Sequence, residues 1–277
     1  MLPGKLRIRE VSAKSVLNPS RIGGVDYAIN PFVGCQHGCS YCYARFMQRY
    51  TGHSGEDWGQ FVDIKVNAAH VLQQQLRRRQ KPVTEAVLFS SVTDAYQPLE
   101  RRFQVTRNCL NILRRHNVPV SILTKSDLVL RDIDLLRELS DCEVGMTVIT
   151  LEERVRRVFE SGAPSAERRL TALKELSEGG IRTFGFVGPI IPYLCKPSLE
   201  ELVRRLAEGG VAHVFFDRLN LKYGNWPVIE RVLQTYFVKQ YKAICNALKP
   251  SSCYYEELRD EVVSLAHRYG LEADILF

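Results

Sequence analysis

Runs of apolar, β-favouring residues alternate with helical periodicity along nearly the whole chain. Val83 to Val92 (VTEAVLFSSV) reads as a buried strand. It is followed by a helix over Glu100 to His116, with Phe103, Leu110, Ile112 and Leu113 on its apolar face. Strand Val118 to Thr124, helix Leu130 to Leu139 and strand Glu143 to Thr150 come next, then a helical stretch from Glu152, interrupted at Gly162 to Pro164. A helix over Ser165 to Ser177 stops at Gly179-Gly180. Strand Ile181 to Ile191, helix Leu199 to Ala207 with its stop at Gly209-Gly210, and strand Ala212 to Leu219 complete the regular part. Helices near Pro227 to Leu248 and Tyr255 to Tyr269 form an amphipathic tail. With Tyr27 to Val33 as a first strand, this makes six βα units. Strands that alternate with helices of ten or more residues argue for parallel βαβ connections, which close into a barrel or part of one; an open doubly wound sheet is the alternative.

Composition narrows the class. The 277 residues are 45% hydrophobic and 25% charged, which excludes disordered, collagen-like and coiled-coil chains. No linker or repeat divides them. Residues 1–26 read as an N-terminal extension, 27–222 as the barrel, and 223–277 as a helical extension packed on it, one domain overall. Lys and Arg number 38 against 31 Asp and Glu, a net charge of +7 that mildly favours a polyanionic partner. The longest uncharged stretch, Thr183 to Cys195, falls short of the roughly 20 apolar residues a spanning helix needs. No signal peptide is legible in MLPGKLRIRE, so the expected location is the cytoplasm, with no membrane partner. Eight cysteines in such a protein are thiols or metal ligands rather than disulfides.

Three of those cysteines crowd into NPFVGCQHGCSYCYARF as Cys35, Cys39 and Cys42. Thiolates so closely spaced must converge on one object, and soft sulfur ligands select zinc or an iron–sulfur cluster. Zinc would need a fourth ligand, for which His37 and His53 are at hand. A four-iron cluster held by three cysteines instead leaves one iron open for chemistry. The triplet follows the first strand, on the side where barrel active sites form.

This Cys-x3-Cys-x2-Cys pattern, with an aromatic before its last cysteine, resembles the radical S-adenosylmethionine (radical SAM) signature. SYCYARF, SVTDAYQPLE (Ser91 to Glu100), ILTKSDLVLRDIDLL (Ile122 to Leu136), GAPSAERRLTALKELSEGGI (Gly162 to Ile181) and GPIIP (Gly188 to Pro192) follow in order. Together they resemble the spore photoproduct lyase-like family, often labelled DNA repair photolyases, over roughly Tyr27 to Phe216. The resemblance implies an α/β partial (β/α)6 TIM-type barrel with an N-terminal extension and C-terminal helices. It implies that Cys35, Cys39 and Cys42 ligate a [4Fe-4S] cluster whose open iron binds S-adenosylmethionine. Reductive cleavage would then give a 5′-deoxyadenosyl radical that abstracts hydrogen from a substrate, with a flavodoxin- or ferredoxin-like electron donor. By the same resemblance, Tyr41 lies against the adenosine, Thr93 and Asp94 contact the methionine end, and Lys125 and Thr147 contact the cofactor. A lysine suits a carboxylate and a hydroxyl suits a ribose. The family label and the positive charge make a nucleic acid or a nucleotide-derived group the leading substrate. A small metabolite, peptide or protein substrate is the runner-up, and a non-catalytic zinc or electron-transfer module the reading from another class.

Two departures bear on the reaction. The true spore lyase has a cysteine just after the second strand that returns a hydrogen atom to the repaired thymine; Ser91 stands there in this chain, and a serine O–H is too strong a bond for that task. The tyrosines of that enzyme's hydrogen relay are retained as Tyr41 and Tyr43, the latter a relay member or a packing residue. After GPIIP many relatives have a Gly-Leu-Asn-Asp-like loop, where this chain has Tyr193-Leu194-Cys195-Lys196. Cys195 could be a substitute hydrogen donor, a ligand of a second cluster with Cys245 and Cys253, or an inert loop thiol. Cys109 and Cys142 read as packing. Basic bursts at Arg77 to Arg79 with Lys81, Arg101-Arg102, Arg114-Arg115, Arg154 with Arg156-Arg157, and Arg168-Arg169 belong to helix faces turned to solvent, or to a phosphate-binding rim. Tyr96, Tyr193, Tyr223 and Trp226 fall on loops where they could stack a base.

Overall fold

A computed structural model of the chain describes residues 6–53, 58–222 and 224–277. The amino-terminal third holds β1 (Arg7–Val11), β2 (Asn18–Pro19), β3 (Val25–Ile29), β4 (Phe32–Val33), a 3-10 helix over Tyr43–Tyr50, β5 (Phe61–Lys65) and α1 (Ala68–Arg77). Next come β6 (Ala86–Phe89), α2 (Glu100–Phe103), α3 (Val105–Arg115), β7 (Val120–Thr124), a 3-10 turn over Asp127–Asp132 running into α4 (Ile133–Arg137), and β8 (Cys142–Thr147). Then follow α5 (Glu153–Phe159), α6 (Ala166–Glu178), β9 (Arg182–Ile190), α7 (Leu199–Glu208), β10 (His213–Arg218), α8 (Trp226–Tyr236), α9 (Val238–Ala247), α10 (Tyr254–Arg268) and β11 (Glu272–Ile275).

The main sheet has the order β11-β10-β9-β8-β7-β6-β3-β2 and is parallel except for β2 against β3. The six expected strands therefore lie side by side in chain order, an α/β partial barrel with open edges. The doubly wound alternative, which requires the order to reverse, is excluded. A small second sheet, β1-β5-β4, packs beside it.

Local sequence explains these elements. In α3 the residues Val105, Cys109, Leu110 and Leu113 form one buried stripe. Helix α6 begins where the Ser165 hydroxyl accepts from the Arg168 amide, and it ends at Gly179. In the sheet, side chains alternate between faces. Val120, Ile122, Val144, Met146, Val187, Val214 and Phe216 are buried toward the helices. Phe184 and Phe186 face Phe215 and fill the barrel interior. Gly145 makes room for this filling, since a Cβ there would meet the Phe184 ring at 2.1 Å. Above this aromatic plug, at the carboxyl ends of the strands, is a cavity of about 230 Å³, several times the roughly 30 Å³ share of one water molecule.

Four local expectations are corrected. The helix over Glu100 to His116 is broken at Gln104, and the tail helix over Pro227 to Leu248 at Phe237. The tail also carries β11, which lengthens the main sheet. The segment before Val83 contributes β5 and α1, which hydrophobic alternation alone does not reveal.

Candidate active site

The cysteine loop follows β4, just past the tip of β3, and is clamped from both sides. The Ser40 amide donates to Phe159 O (2.9 Å) and the Gly162 amide to His37 O (3.1 Å). A Cβ at Gly162 would lie 2.3 Å from Gln36 O, so the Gly162-Ala163 corner seats directly on the loop. From the other side Gln97 accepts from the Gln36 amide (3.0 Å), and Gln36 accepts from the Leu99 amide (2.9 Å). Gly34, at φ +85°, is in the left-handed region; a Cβ would meet Phe61 O at 2.4 Å, so only glycine fits before Cys35. The segments resembling SVTDAYQPLE and GAPSAERRL therefore have a physical task here: they fix the backbone that presents the thiols.

Cys35, Cys39 and Cys42 line the cavity together. Among the described residues no three Cys, His, Asp or Glu side chains converge on a single point, as a tetrahedral zinc requires. A cubane cluster binds each thiolate at a separate iron and suits thiols spread along one wall. Neither expected zinc-completing histidine is placed as a fourth ligand. His53 stacks on Phe61 (3.7 Å between centroids) with Nε2 3.3 Å from Asp63. His37, buried in the cavity wall, faces Asp94 at 3.3 Å. Burial pushes all three thiols up, Cys39 to about 12, while Lys125 pulls Cys39 and Cys42 back. A cationic group among them is what this donor set needs in order to ionise.

Asp94 is a buried hub. Its Oδ1 accepts from the Tyr96 amide (2.9 Å) and the Thr124 hydroxyl (2.7 Å), and its Oδ2 from the Lys125 amide (2.9 Å). Burial would raise its pKa, but His37, Thr124 and the Lys125 amide together hold it well below the usual carboxylate range. The Thr93 hydroxyl donates to Gly34 O (2.6 Å). Both residues line the cavity, and in the structure both are engaged in joining the loop after β6 to the cysteine loop and to β7. Lys125 and Thr147, at the ends of β7 and β8, also line it. The Lys125 ammonium lies 5.9 Å over the Tyr41 ring. Burial alone would lower its pKa, but the fields of Cys39 and Glu160 outweigh burial and raise it.

Beneath Tyr41 is a buried triad that sequence reading missed. The Tyr41 hydroxyl donates to Glu160, whose other oxygen is 2.7 Å from Arg169; Arg169 also donates to Thr147 O (2.9 Å). Glu160 and Arg169 are wholly buried. Burial would raise Glu160, yet Arg169, Lys125 and the Tyr41 hydroxyl bring it below its ordinary value. Arg169 is thus no solvated residue of a basic burst, although its neighbour Arg168 is, paired with Asp127 at 2.6 Å. Only the burial of its helix face distinguishes the two, and the alternating pattern of α6 carries that signal.

Other expected residues are distributed differently. Tyr43 lines the cavity, its hydroxyl bonded to Ser91 O, and the Ser91 hydroxyl accepts from Asn30 Nδ2 (3.0 Å). Cys195 is turned away: 1% exposed, it is packed in the core with the Ile191 amide donating to its sulfur (3.3 Å), and burial pushes its thiol up to about 12. Cys253 is exposed and donates to Glu257 (3.0 Å). Among the described residues nothing gathers Cys195, Cys245 and Cys253 about one point. Cys109 is buried and Cys142 packs at the core margin. Tyr96, expected at the mouth, is fully buried, with its hydroxyl donating to Asp132 (3.1 Å). Trp226 packs against the core, Tyr193 is exposed, and Tyr223 lies outside the described residues.

The sequence profile of the radical SAM superfamily matches residues 29–206, from the end of β3 into α7. The chain belongs to the radical SAM superfamily. Membership makes it an enzyme of the radical SAM class and implies a [4Fe-4S] cluster with S-adenosylmethionine, which the three thiols on one cavity wall fit. An uncharacterized protein of Methanocaldococcus jannaschii is 38% identical over 243 residues, 87% of this chain and 88% of that one. The radical SAM Nα-GlyT isomerase of Pseudomonas phage M6 is 24% identical over 250 residues, 89% of this chain and 49% of that one. Among solved structures, spore photoproduct lyase complexed with dinucleoside spore photoproduct superposes with a TM-score of 0.70 at 17% identity, covering 97% of this chain and 82% of the lyase. That likeness shows the radical SAM partial-barrel fold. Among the described residues no helix is long and apolar enough to cross a membrane.

Proposed function

We propose that this radical SAM enzyme acts on a nucleoside-type group in a nucleic acid or nucleotide, with Cys35, Cys39 and Cys42 as its cluster ligands. The single observation carrying the reading is that these thiols, Lys125, Thr147 and polar side chains such as Ser90, Asp217 and Asn220 share one cavity at the strand ends. When bound there, the cluster and S-adenosylmethionine supply a 5′-deoxyadenosyl radical for hydrogen abstraction. The chain's own residues divide the remaining work. The Lys125 ammonium, with no ion pair among the described residues, is available to the cofactor carboxylate, and the Thr147 hydroxyl to its ribose. Tyr41 presents its ring to the same space while Glu160 and Arg169 hold its hydroxyl. Asp94 and Thr93 act as positioning residues that keep the loops in register.

The nucleoside reading draws support from the structural relative, a lyase solved with a dinucleoside. The net charge of +7 agrees with it. Among the described residues the cavity's cysteines are 35, 39 and 42 alone, and Ser91 stands beside Tyr43. This arrangement favours a reaction in which no protein thiol returns hydrogen to the product. A cytoplasmic setting and a flavodoxin- or ferredoxin-like reductant complete the proposal. The test is anaerobic reconstitution with dithionite and S-adenosylmethionine, assayed for iron and 5′-deoxyadenosine. About four irons with deoxyadenosine formed is the expected result; zinc without iron, and no deoxyadenosine, overturns it.

A further inference from the structure

The segment that leads into β5 is pressed against the cysteine loop at two points. Gly59, at φ +91°, lies so close to Gly38 that a Cβ would meet the Gly38 Cα at 2.9 Å, and a Cβ on Gly34 would meet Phe61 O at 2.4 Å. The small sheet holds this segment in place: β5 pairs with β1 from Phe61 to Lys65, and the Arg7 amide donates to Gln60 O (2.8 Å). Trp58 begins the segment. It is 6% exposed, its ring stands edge-on to Phe61 with 6.1 Å between centroids, and it lines the cavity with Cys35, Cys39 and Cys42. Cys42 packs against the apolar group that Trp58 forms with Cys35, Ala44 and Phe61. The Trp58 Nε1 atom is buried and has no hydrogen-bond partner among the described residues. The acceptor it approaches is the Cys42 sulfur: burial pushes that thiol up, and the indole N–H is among the groups that draw it back toward the thiolate. An indole N–H is a donor only and carries no charge, and a buried donor left unpaired is costly. A neutral thiol is a weak acceptor that leaves this donor unmet, whereas an ionised sulfur accepts strongly.

We propose that Trp58 tunes the reduction potential of the cluster by donating its indole N–H to the Cys42 thiolate. This rests on Cys42 being a cluster ligand, and it adds a residue outside the cysteine pattern that sets how readily the site takes an electron. The sign follows from charge. Reduction adds one electron, supplied by the external reductant, and places more negative charge on the sulfurs. A donor aimed at one of them therefore stabilises the reduced state more than the oxidised one and raises the potential. Burial acts the other way, because an apolar wall disfavours the extra charge. The indole does both: its ring excludes water from this side of the thiols, and its one polar atom offsets part of what that exclusion costs. The small amino-terminal sheet thereby gains a part in the chemistry, since β1 and β5 fix where the indole stands.

The experiment is an anaerobic redox titration of the reconstituted holoenzyme, followed by electron paramagnetic resonance, for wild type, Trp58→Phe and Trp58→benzothienylalanine. The last of these keeps the bicyclic shape of the indole and carries sulfur in place of the N–H. Loss of one hydrogen bond to a charged acceptor should move the reduction equilibrium about tenfold toward the oxidised form, a fall of about 59 mV in the midpoint for one electron. Both variants should show this fall with iron content equal to that of wild type. Resonance Raman spectra should show the Fe–S(Cys) stretch at higher frequency in both, because a thiolate relieved of a donor binds iron more strongly. Should Trp58→Phe fail to fold or to load iron, the isosteric variant still decides. An unchanged or raised midpoint in Trp58→benzothienylalanine overturns the proposal. So does a fall confined to Trp58→Phe, which would trace to water entering the space the larger ring had filled. A wild type that takes up no iron overturns the cluster reading itself, and this proposal with it.

Discussion

Arg169 shows how far a single residue can depart from what its neighbours suggest. It sits in a basic pair, yet it is buried against Glu160 and the Thr147 carbonyl. Removing one partner of a buried pair leaves an uncompensated charge, so Arg169→Met should lower unfolding free energy by about 3–5 kcal/mol in urea; a loss under about 1 kcal/mol would mean water reaches Glu160. The pH dependence has a definite sign. The folded pKa of Glu160 lies below the ordinary 4.5, so its stabilisation is full above that value and declines as pH falls below it. Glu160→Gln should therefore be less stable than wild type at neutral pH, and the gap should narrow below about pH 4.5 in acid melts. For the cluster, single Cys35→Ala, Cys39→Ala and Cys42→Ala variants should each lose cofactor cleavage, and undiminished deoxyadenosine from any one would remove it from the ligand set. The cysteine triplet was legible because three thiols in eight residues admit few explanations. Glu160 was not, because a glutamate at the end of a helix carries no mark until the burial of that helix end is known.

At the level of elements, hydrophobic periodicity located the six βα units because a strand buried on both faces and an amphipathic helix leave distinct traces. It missed the break at Gln104 because the apolar stripe of α2 and α3 runs on across it. The cause is tertiary. Glu100, fully buried and held by Arg131, accepts from the Thr106 and Arg107 amides and so starts a second helix, leaving Gln104 at φ +51°. Gln104→Gly should accordingly be neutral or stabilising by up to ~1 kcal/mol in a denaturant melt, where an exposed helix-interior glycine would cost about as much. Phe237 breaks the tail helix in a similar way, stacking on Phe159 at 5.8 Å. Among the ties that hold helix α10 to the ends of β9 and β10 is the Tyr255 hydroxyl, which donates to Ile190 O (2.9 Å) and accepts from the Leu219 amide (3.1 Å). Tyr255→Phe leaves both without that partner and should cost about 1–3 kcal/mol by the same melt.

Across the whole molecule the excess of positive charge is spread unevenly. Many arginines are neutralised by neighbours on the outer helices, as Arg204 is by Glu201 and Arg205 by Glu167. The Arg77 to Lys81 burst starts at the last residue of α1 and precedes β6, which puts it at the amino ends of the strands, away from the cavity. Neutralising Arg77, Arg78, Arg79 and Lys81 together should change thymidylyl-thymidine affinity by no more than about threefold in dialysis, since charges beyond a Debye length of ~10 Å are screened. Charge composition announced a polyanion without saying where it would sit; that depends on which ends of the strands the bursts flank. The sheet's last strand has its own consequence. Until β11 pairs in register with β10, from His213 opposite Glu272 to Phe216 opposite Ile275, the N–H and C=O groups on that side of β10 have no partner. A ribosome making this chain has built the aromatic plug and all six βα units before those four residues emerge. During that interval the nascent protein offers a ready strand edge to any neighbouring copy, and the speed at which the stretch from β10 to β11 is translated sets how long the exposure lasts.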